Sequence, residues 1–165
     1  MSRAKPLILI LCTGNVCRSP MAEALMRSVL VRRNISAEVE SRGLAAAVGR
    51  APHPYALQTA SDFGAPIAAD KRAGSVTSAE LRIASLVLVM DKMNYHRVHK
   101  VFPQASGKTF LLGRWQAELE IPDPIAAPEE TFRAQWALMR TACEAWVEHL
   151  LQAGMLSAGL QHADS

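Results

Sequence analysis

Aromatic residues make up only 5% of this 165-residue chain, and no apolar run is longer than the six residues Leu7 to Cys12. A membrane-crossing helix needs roughly 20 such residues, so no stable membrane insertion is expected. Arg3 and Lys5 precede the run, but it is shorter than the apolar core of a secretion signal. It also gives way to Thr-Gly-Asn rather than to a small-residue cleavage site. Cysteine is scarce and odd in number, at Cys12, Cys17 and Cys143, which does not suit a secreted disulfide scaffold. Reduced thiols and a cytoplasmic location are the expectation. Basic charge is scattered: the net charge is +3 and Arg32-Arg33 is the densest pair. Nucleic-acid binders concentrate such charge in a stripe or patch, so no nucleic-acid partner is expected, although a mild positive balance favours anionic substrates.

What the chain does have is 50% hydrophobic residues, enough to build one core at ordinary domain size. Leu7 to Leu11 is wholly apolar and ends at Gly14 and Asn15, as a strand buried on both faces would. Met21 to Arg33 places Ala22, Leu25, Met26, Val29 and Leu30 on one helical face, with Pro20 in the first turn and Ser19 as its cap. A second strand is predicted at Ala37 to Ser41 and a helix at Pro52 to Phe63 closed by Gly64. Thr77 to Ile83 opens with a capping-box pattern. Leu86 to Met90 reads as a strand, Met93 to Val101 as a helix and Thr109 to Leu112 as a fourth strand. A long helix from Glu129 to Gln152 carries the stripe Phe132, Trp136, Met139, Cys143, Trp146 or Val147, and Leu150. Strands alternating with helices predict the α/β class with a parallel sheet covered on both faces. One domain is expected over residues 1–152, followed by a frayed tail at 153–165 with no apolar period. Ligands of such sheets lie beyond the carboxyl ends of the strands, which directs attention to the loop after the first strand.

That loop reads Cys12-Thr13-Gly14-Asn15-Val16-Cys17-Arg18-Ser19 and leads into a helix. Unpaired N–H groups at a helix N-terminus, with the helix dipole behind them, can hold an anion. Gly14 and Asn15 tolerate the left-handed backbone that turns successive N–H groups toward one centre. Arg18 adds a planar fork for two phosphate oxygens. Cys12 would lie beneath that centre, where the positive field favours the nucleophilic thiolate, and Ser19 could donate its hydroxyl to the sulfur. The bare Cys-x5-Arg spacing would arise by chance in about one chain in four of this composition. Its position between a buried strand and an amphipathic helix makes it informative.

Transfer from a phosphate monoester also needs an acid for the leaving oxygen. Asp123, in Glu120-Ile-Pro-Asp-Pro124 after the fourth strand, is the candidate, although Asp-Pro also commonly opens a turn before a helix.

Residues 11–23, Leu-Cys-Thr-Gly-Asn-Val-Cys-Arg-Ser-Pro-Met-Ala-Glu, together with Asp123-Pro124, resemble the phosphate loop and acid motif of the low-molecular-weight protein tyrosine phosphatases. The resemblance runs from about Leu7 to Leu150. It implies a four-stranded parallel sheet and a phosphocysteine on Cys12. It further implies that Arg18 binds phosphate with the loop residues Thr13, Gly14, Asn15, Val16, Cys17 and Ser19, that Asp123 acts as acid and then base, and that no metal or other cofactor takes part. It also implies that Asn15 and Ser41 brace the loop and that Cys17 can pair reversibly with the nucleophile. The segments Glu40-Ser41-Arg42-Gly43-Leu44, Val48-Gly49 and Leu112-Gly113-Arg114-Trp115 with Glu120-Ile121-Pro122-Asp123-Pro124 are most similar to the bacterial capsule and exopolysaccharide branch. For that branch the expected partner is a tyrosine-phosphorylated protein such as a tyrosine autokinase. Three departures stand out. Ile125 occupies the family's usual tyrosine position, Ala45 to Ala47 supply no aromatic flank, and His53 with Asp70 suggests a swapped acid-histidine pair.

Two rival readings remain open at this level. Arsenate reduction on the same scaffold would pass oxidation to two further cysteines, and Asp91 to Gly113 contains none. A non-catalytic phosphoprotein-binding module would use Asp123 only as a turn residue. Zinc at Cys12, Cys17, His96 and His99 is disfavoured, because His-x2-His falls outside the usual ligand spacing. Trp115 could either pack under the acid loop or line the substrate cleft.

Overall fold

All six residues of β1 (Leu7–Cys12) are buried, because the strand runs through the middle of the molecule and its alternate side chains enter two different cores. Ile8, Ile10 and Cys12 join the core formed with α1 (Arg18–Arg32), α2 (Pro54–Asp62) and α5 (Glu129–Gln152). Leu7, Leu9 and Leu11 join a second core with Leu81 of α3 (Ser78–Ile83) and Val98 of α4 (Lys92–Val101). The computed structural model describes residues 5–159. Its sheet is four-stranded and wholly parallel, in the order β2 (Glu38–Gly43), β1, β3 (Leu86–Val89), β4 (Thr109–Leu111). A 3-10 helix at Pro103–Lys108 leads into β4.

The expected α/β class, parallel sheet and two helical layers are therefore present. The chain winds outward in opposite directions from β1, to β2 on one side and β3 on the other, so the carboxyl end of β1 opens a crevice. The loop at 12–18 stands at that point.

Several local expectations need correction. Helix α1 begins at Arg18 rather than Met21, with Cys17 at its N-cap and no side-chain capping bond. Ser19 lies inside the first turn, because its hydroxyl is taken up by Cys12 and Asn15. Thr77 and Glu80 do form the reciprocal capping box of α3. Within the expected tail, residues 153–159 are exposed except at Leu156. Leu156 is buried, Ala158 bridges to Ile35, and Gly159 N–H donates to the Asn34 carbonyl at 2.6 Å. Residues 160–165 of that tail lie outside the described residues.

Candidate active site

The loop between β1 and α1 folds around the sulfur of Cys12. The Asn15 N–H donates to Cys12 Sγ at 3.2 Å, and Ser19 Oγ lies 2.9 Å from it. Asn15 alone in this loop takes the left-handed backbone, at φ 59°; Gly14, also expected there, does not. From the neighbouring strand end, Leu44 N–H donates to the Cys12 carbonyl and Ala45 N–H to the Thr13 carbonyl, both at 2.9 Å. The approach requires glycine at 43, since a Cβ there would stand 2.7 Å from the Thr13 oxygen.

The hydrogen-bond partners fix which way the Asn15 amide points. A backbone N–H can only donate, and Gly74 N–H meets Asn15 Oδ1 at 3.0 Å. The Asn15 amide nitrogen therefore faces the other way, 2.8 Å from Ser19 Oγ and 3.0 Å from Ser41 Oγ. The Ser41 hydroxyl donates in turn to Glu23 Oε1 at 2.6 Å. Glu23 is 5% exposed and is ion-paired with Lys71 Nζ at 3.0 Å and Arg27 Nη1 at 2.9 Å. Ser19 thus accepts from Asn15 and has its hydrogen free for the sulfur. With Ser19 as donor, Cys12 Sγ accepts two hydrogen bonds, one from Asn15 N–H and one from Ser19, an arrangement suited to a sulfur nucleophile.

Arg18 is 2% exposed, so its charge is buried beside the loop. Nη1 donates to Asp91 Oδ2 at 2.7 Å and to the Ile121 carbonyl at 2.8 Å; Nη2 reaches Thr13 Oγ1 at 3.5 Å. Asp91 follows β3 and caps α4 by accepting from Asn94 N–H at 2.8 Å. Asn94 in turn donates from its side chain to Thr13 Oγ1 at 3.2 Å. The guanidinium plane is therefore set by three elements, with Nε free of protein partners among the described residues.

Asp123 is exposed on the loop after β4, and its Oδ1 accepts from Ile125 N–H at 3.1 Å. Its charge is felt at the phosphate loop. The Cys17 thiol is pushed up to about 12, first by burial and then by the Asp123 carboxylate and Cys12. Cys143 is fully buried on α5 and also pushed up to about 12, chiefly by burial, as the expected core thiol would be.

His53 does not pair with Asp70. It caps α2, accepting from Tyr55 N–H at 3.0 Å through Nδ1, and packs 4.8 Å from the Phe132 ring, while Asp70 is exposed without an ion-pair partner among the described residues. Burial, followed by the Arg50 charge, holds the His53 imidazole below its usual range, against a raising contact from the Ile125 backbone. Trp115 takes neither expected place. Its ring stacks on His149 at 3.5 Å and meets Trp146 edge-on, because β4 ends beside the last turns of α5.

Cys12, Asn15 and Ser19 are thus bonded to one another and Arg18 to Thr13; Gly14, Val16 and Cys17 complete the same loop, and the Asp123 charge acts on Cys17 within it. Sequence reasoning missed Asp91, Asn94, Glu23 and Lys71. Asp91 had a legible signal, since it directly follows a buried strand on the same rim as Cys12. Glu23 and Lys71 had none, because their pairing depends on tertiary contact.

Residues 7–155 match the model of the family described as low molecular weight phosphotyrosine protein phosphatase. The low molecular weight protein-tyrosine-phosphatase Wzb of Escherichia coli K12 is 35% identical over 143 residues, covering 87% of this chain and 94% of that one. The crystal structure of the tyrosine phosphatase Wzb from Escherichia coli K30 in complex with sulphate superposes with a TM-score of 0.82 at 35% identity, over 89% of this chain and 99% of that one. Vibrio vulnificus Wzb in complex with benzylphosphonate gives the same TM-score of 0.82 at 30% identity, over 89% of this chain and 100% of that one.

Proposed function

This chain belongs to the low molecular weight phosphotyrosine protein phosphatase family and is a protein tyrosine phosphatase; from that premise we propose that it works through Cys12, Arg18 and Asp123. The observation that carries the assignment is the sulfur of Cys12, accepting hydrogen bonds from Asn15 N–H and Ser19 at the start of α1, where Arg18 is held in place.

The Cys12 thiolate attacks phosphorus of a phosphotyrosine side chain, and the P–O bond to the phenol breaks. Asp123, entering as the carboxylic acid, gives its proton to the departing phenolic oxygen. Two equatorial phosphoryl oxygens lie against the Nε and Nη2 edge of Arg18, and the N–H groups of the loop hold the remaining charge. In the second step the Asp123 carboxylate removes a proton from water. The water oxygen bonds phosphorus, the P–S bond breaks, and phosphate leaves. Ser19, with its proton on the sulfur, favours Cys12 as the leaving group.

We assign the substrate to a tyrosine-phosphorylated protein, a tyrosine autokinase of exopolysaccharide production being the partner suggested by the resemblance of Glu40 to Leu44 and of Glu120 to Pro124. The three unpaired thiols fit a cytoplasmic location. Among the described residues, no helix is long and apolar enough to cross a membrane. Arsenate reduction is disfavoured because it needs two further cysteines near the loop, and beyond Cys17 only the fully buried Cys143 of α5 remains.

Steady-state hydrolysis of an aryl phosphate and of a phosphotyrosine peptide tests the assignment. Cys12→Ser should bind phosphate without turnover, and Asp123→Ala should lose about 100-fold or more in kcat. Phosphopeptide binding by the wild type with no turnover would establish the non-catalytic module instead.

A further inference from the structure

Residues 121–125 read Ile-Pro-Asp-Pro-Ile, so two of the five lack an N–H and the segment must be tethered largely through its carbonyls. Ile121 is tied at both ends, its N–H to the Met90 carbonyl at 2.8 Å and its own carbonyl to Arg18 Nη1 at 2.8 Å. The next carbonyl, that of Pro122, accepts from Gln135 Nε2 of α5 at 2.8 Å. Asp123 follows directly. Beyond it, Ile125 N–H closes back onto Asp123 Oδ1, which leaves Oδ2 as the carboxyl oxygen free to face a substrate.

Gln135 is an unexpected residue in its place. It sits between Phe132, Trp136 and Met139 on the buried face of α5 and is 5% exposed. Its Oε1 is buried and has no hydrogen-bond partner. An apolar side chain would fill that position without an unsatisfied acceptor. What glutamine adds is a single donor, and that donor goes to the residue beside Asp123. The loop also carries Ile125 where the resembled acid motif has tyrosine, so it lacks a phenol that could anchor it.

We propose that Gln135 is a positioning residue for the general acid: by holding the Pro122 carbonyl from α5 it fixes where the Asp123 carboxyl stands relative to Cys12. This rests on the catalytic reading given above. Gln135 touches neither substrate nor sulfur; it acts through the loop. Its loss should therefore weaken protonation of the leaving oxygen and spare phosphate binding, which belongs to Arg18 and the amides of the 12–18 loop.

The test is single-turnover phosphorylation of the full chain by phenyl, 4-nitrophenyl and 2,4-dinitrophenyl phosphate, whose leaving groups need the acid to decreasing degrees. Gln135→Leu should lose about tenfold on phenyl phosphate and less than about twofold on the dinitrophenyl ester. Competitive inhibition by inorganic phosphate should be unchanged. Added to Asp123→Ala, the substitution should have no further effect on the phenyl ester. Equal losses on all three esters, no loss at all, or an additive loss with Asp123→Ala would overturn the proposal. Gln135→Met asks the same question if leucine packs badly. Asp123→Ala alone must show the steep leaving-group dependence. If it does and Gln135→Leu does not, the clamp is wrong and the acid stands; if neither does, the acid assignment fails and takes the clamp with it.

Discussion

Asn15 combines two demands in one residue, a left-handed backbone at φ 59° and a side chain that links Ser19, Ser41 and Gly74. The two can be separated. Asn15→Gly keeps the backbone free to turn but deletes all three side-chain bonds, so kcat/KM should fall by at least about tenfold, because the Ser19 proton is no longer directed to Cys12. Asn15→Ala should lose similar activity and, in addition, about 1 kcal/mol of stability relative to the glycine variant from its forced left-handed conformation. Urea midpoints alongside kcat/KM check this; equal stability of the two variants would contradict the strain argument. The proposed roles of Cys12 and Arg18 were legible in sequence because both residues belong to one local loop. Ser19's duty was only half legible: its proximity to the sulfur followed from the loop, whereas reading it as a helix cap missed that Cys12 and Asn15 claim its hydroxyl.

At the scale of elements, apolar period and punctuation located each strand and α-helix among the described residues but not the 3-10 helix at Pro103–Lys108, since only core-facing stripes carry a period that matches their element. Helix α5 follows its stripe from Glu129 to Gln152 as read. The ends of α1 and α2 were less legible, because Cys17 and His53, poor capping residues by type, occupy the two N-caps. Helix α3 shows the opposite case. Its six residues are too few to stand alone, and the Thr77–Glu80 capping box supplies the N–H partners. Thr77→Ala should cost about 1 kcal/mol in denaturant unfolding while leaving kcat within about twofold, since Thr77 lies outside the site. A large loss of activity would show that α3 helps hold the catalytic loop.

Across the whole molecule, the site exists because distant segments converge on the end of β1. Asp91 from β3, Gly74 from the loop before α3, Glu23 from α1 and Ile121 after β4 all bond to the loop or to residues that brace it. The alternation of strands with helices directed attention to the loop after the first strand, and the strand order β2-β1-β3-β4 opens the crevice there. The bracing carboxylates and the Gln135 contact were hidden, because a lone Glu, Lys or Gln carries no signal until tertiary folding supplies its partner. The expected His53–Asp70 pair, drawn from the family resemblance, is not made: His53 caps α2 and packs on Phe132 instead. The central claim is that phosphate passes through the sulfur of Cys12. It is tested most directly by mixing Asp123→Ala protein with an aryl phosphate, quenching in acid and locating the bound phosphoryl group by peptide mass spectrometry. The account predicts one phosphoryl group on Cys12 and none in the Cys12→Ser, Asp123→Ala double variant; a phosphoryl group on any other residue, or Cys12→Ser protein that turns over at the wild-type rate, would contradict it.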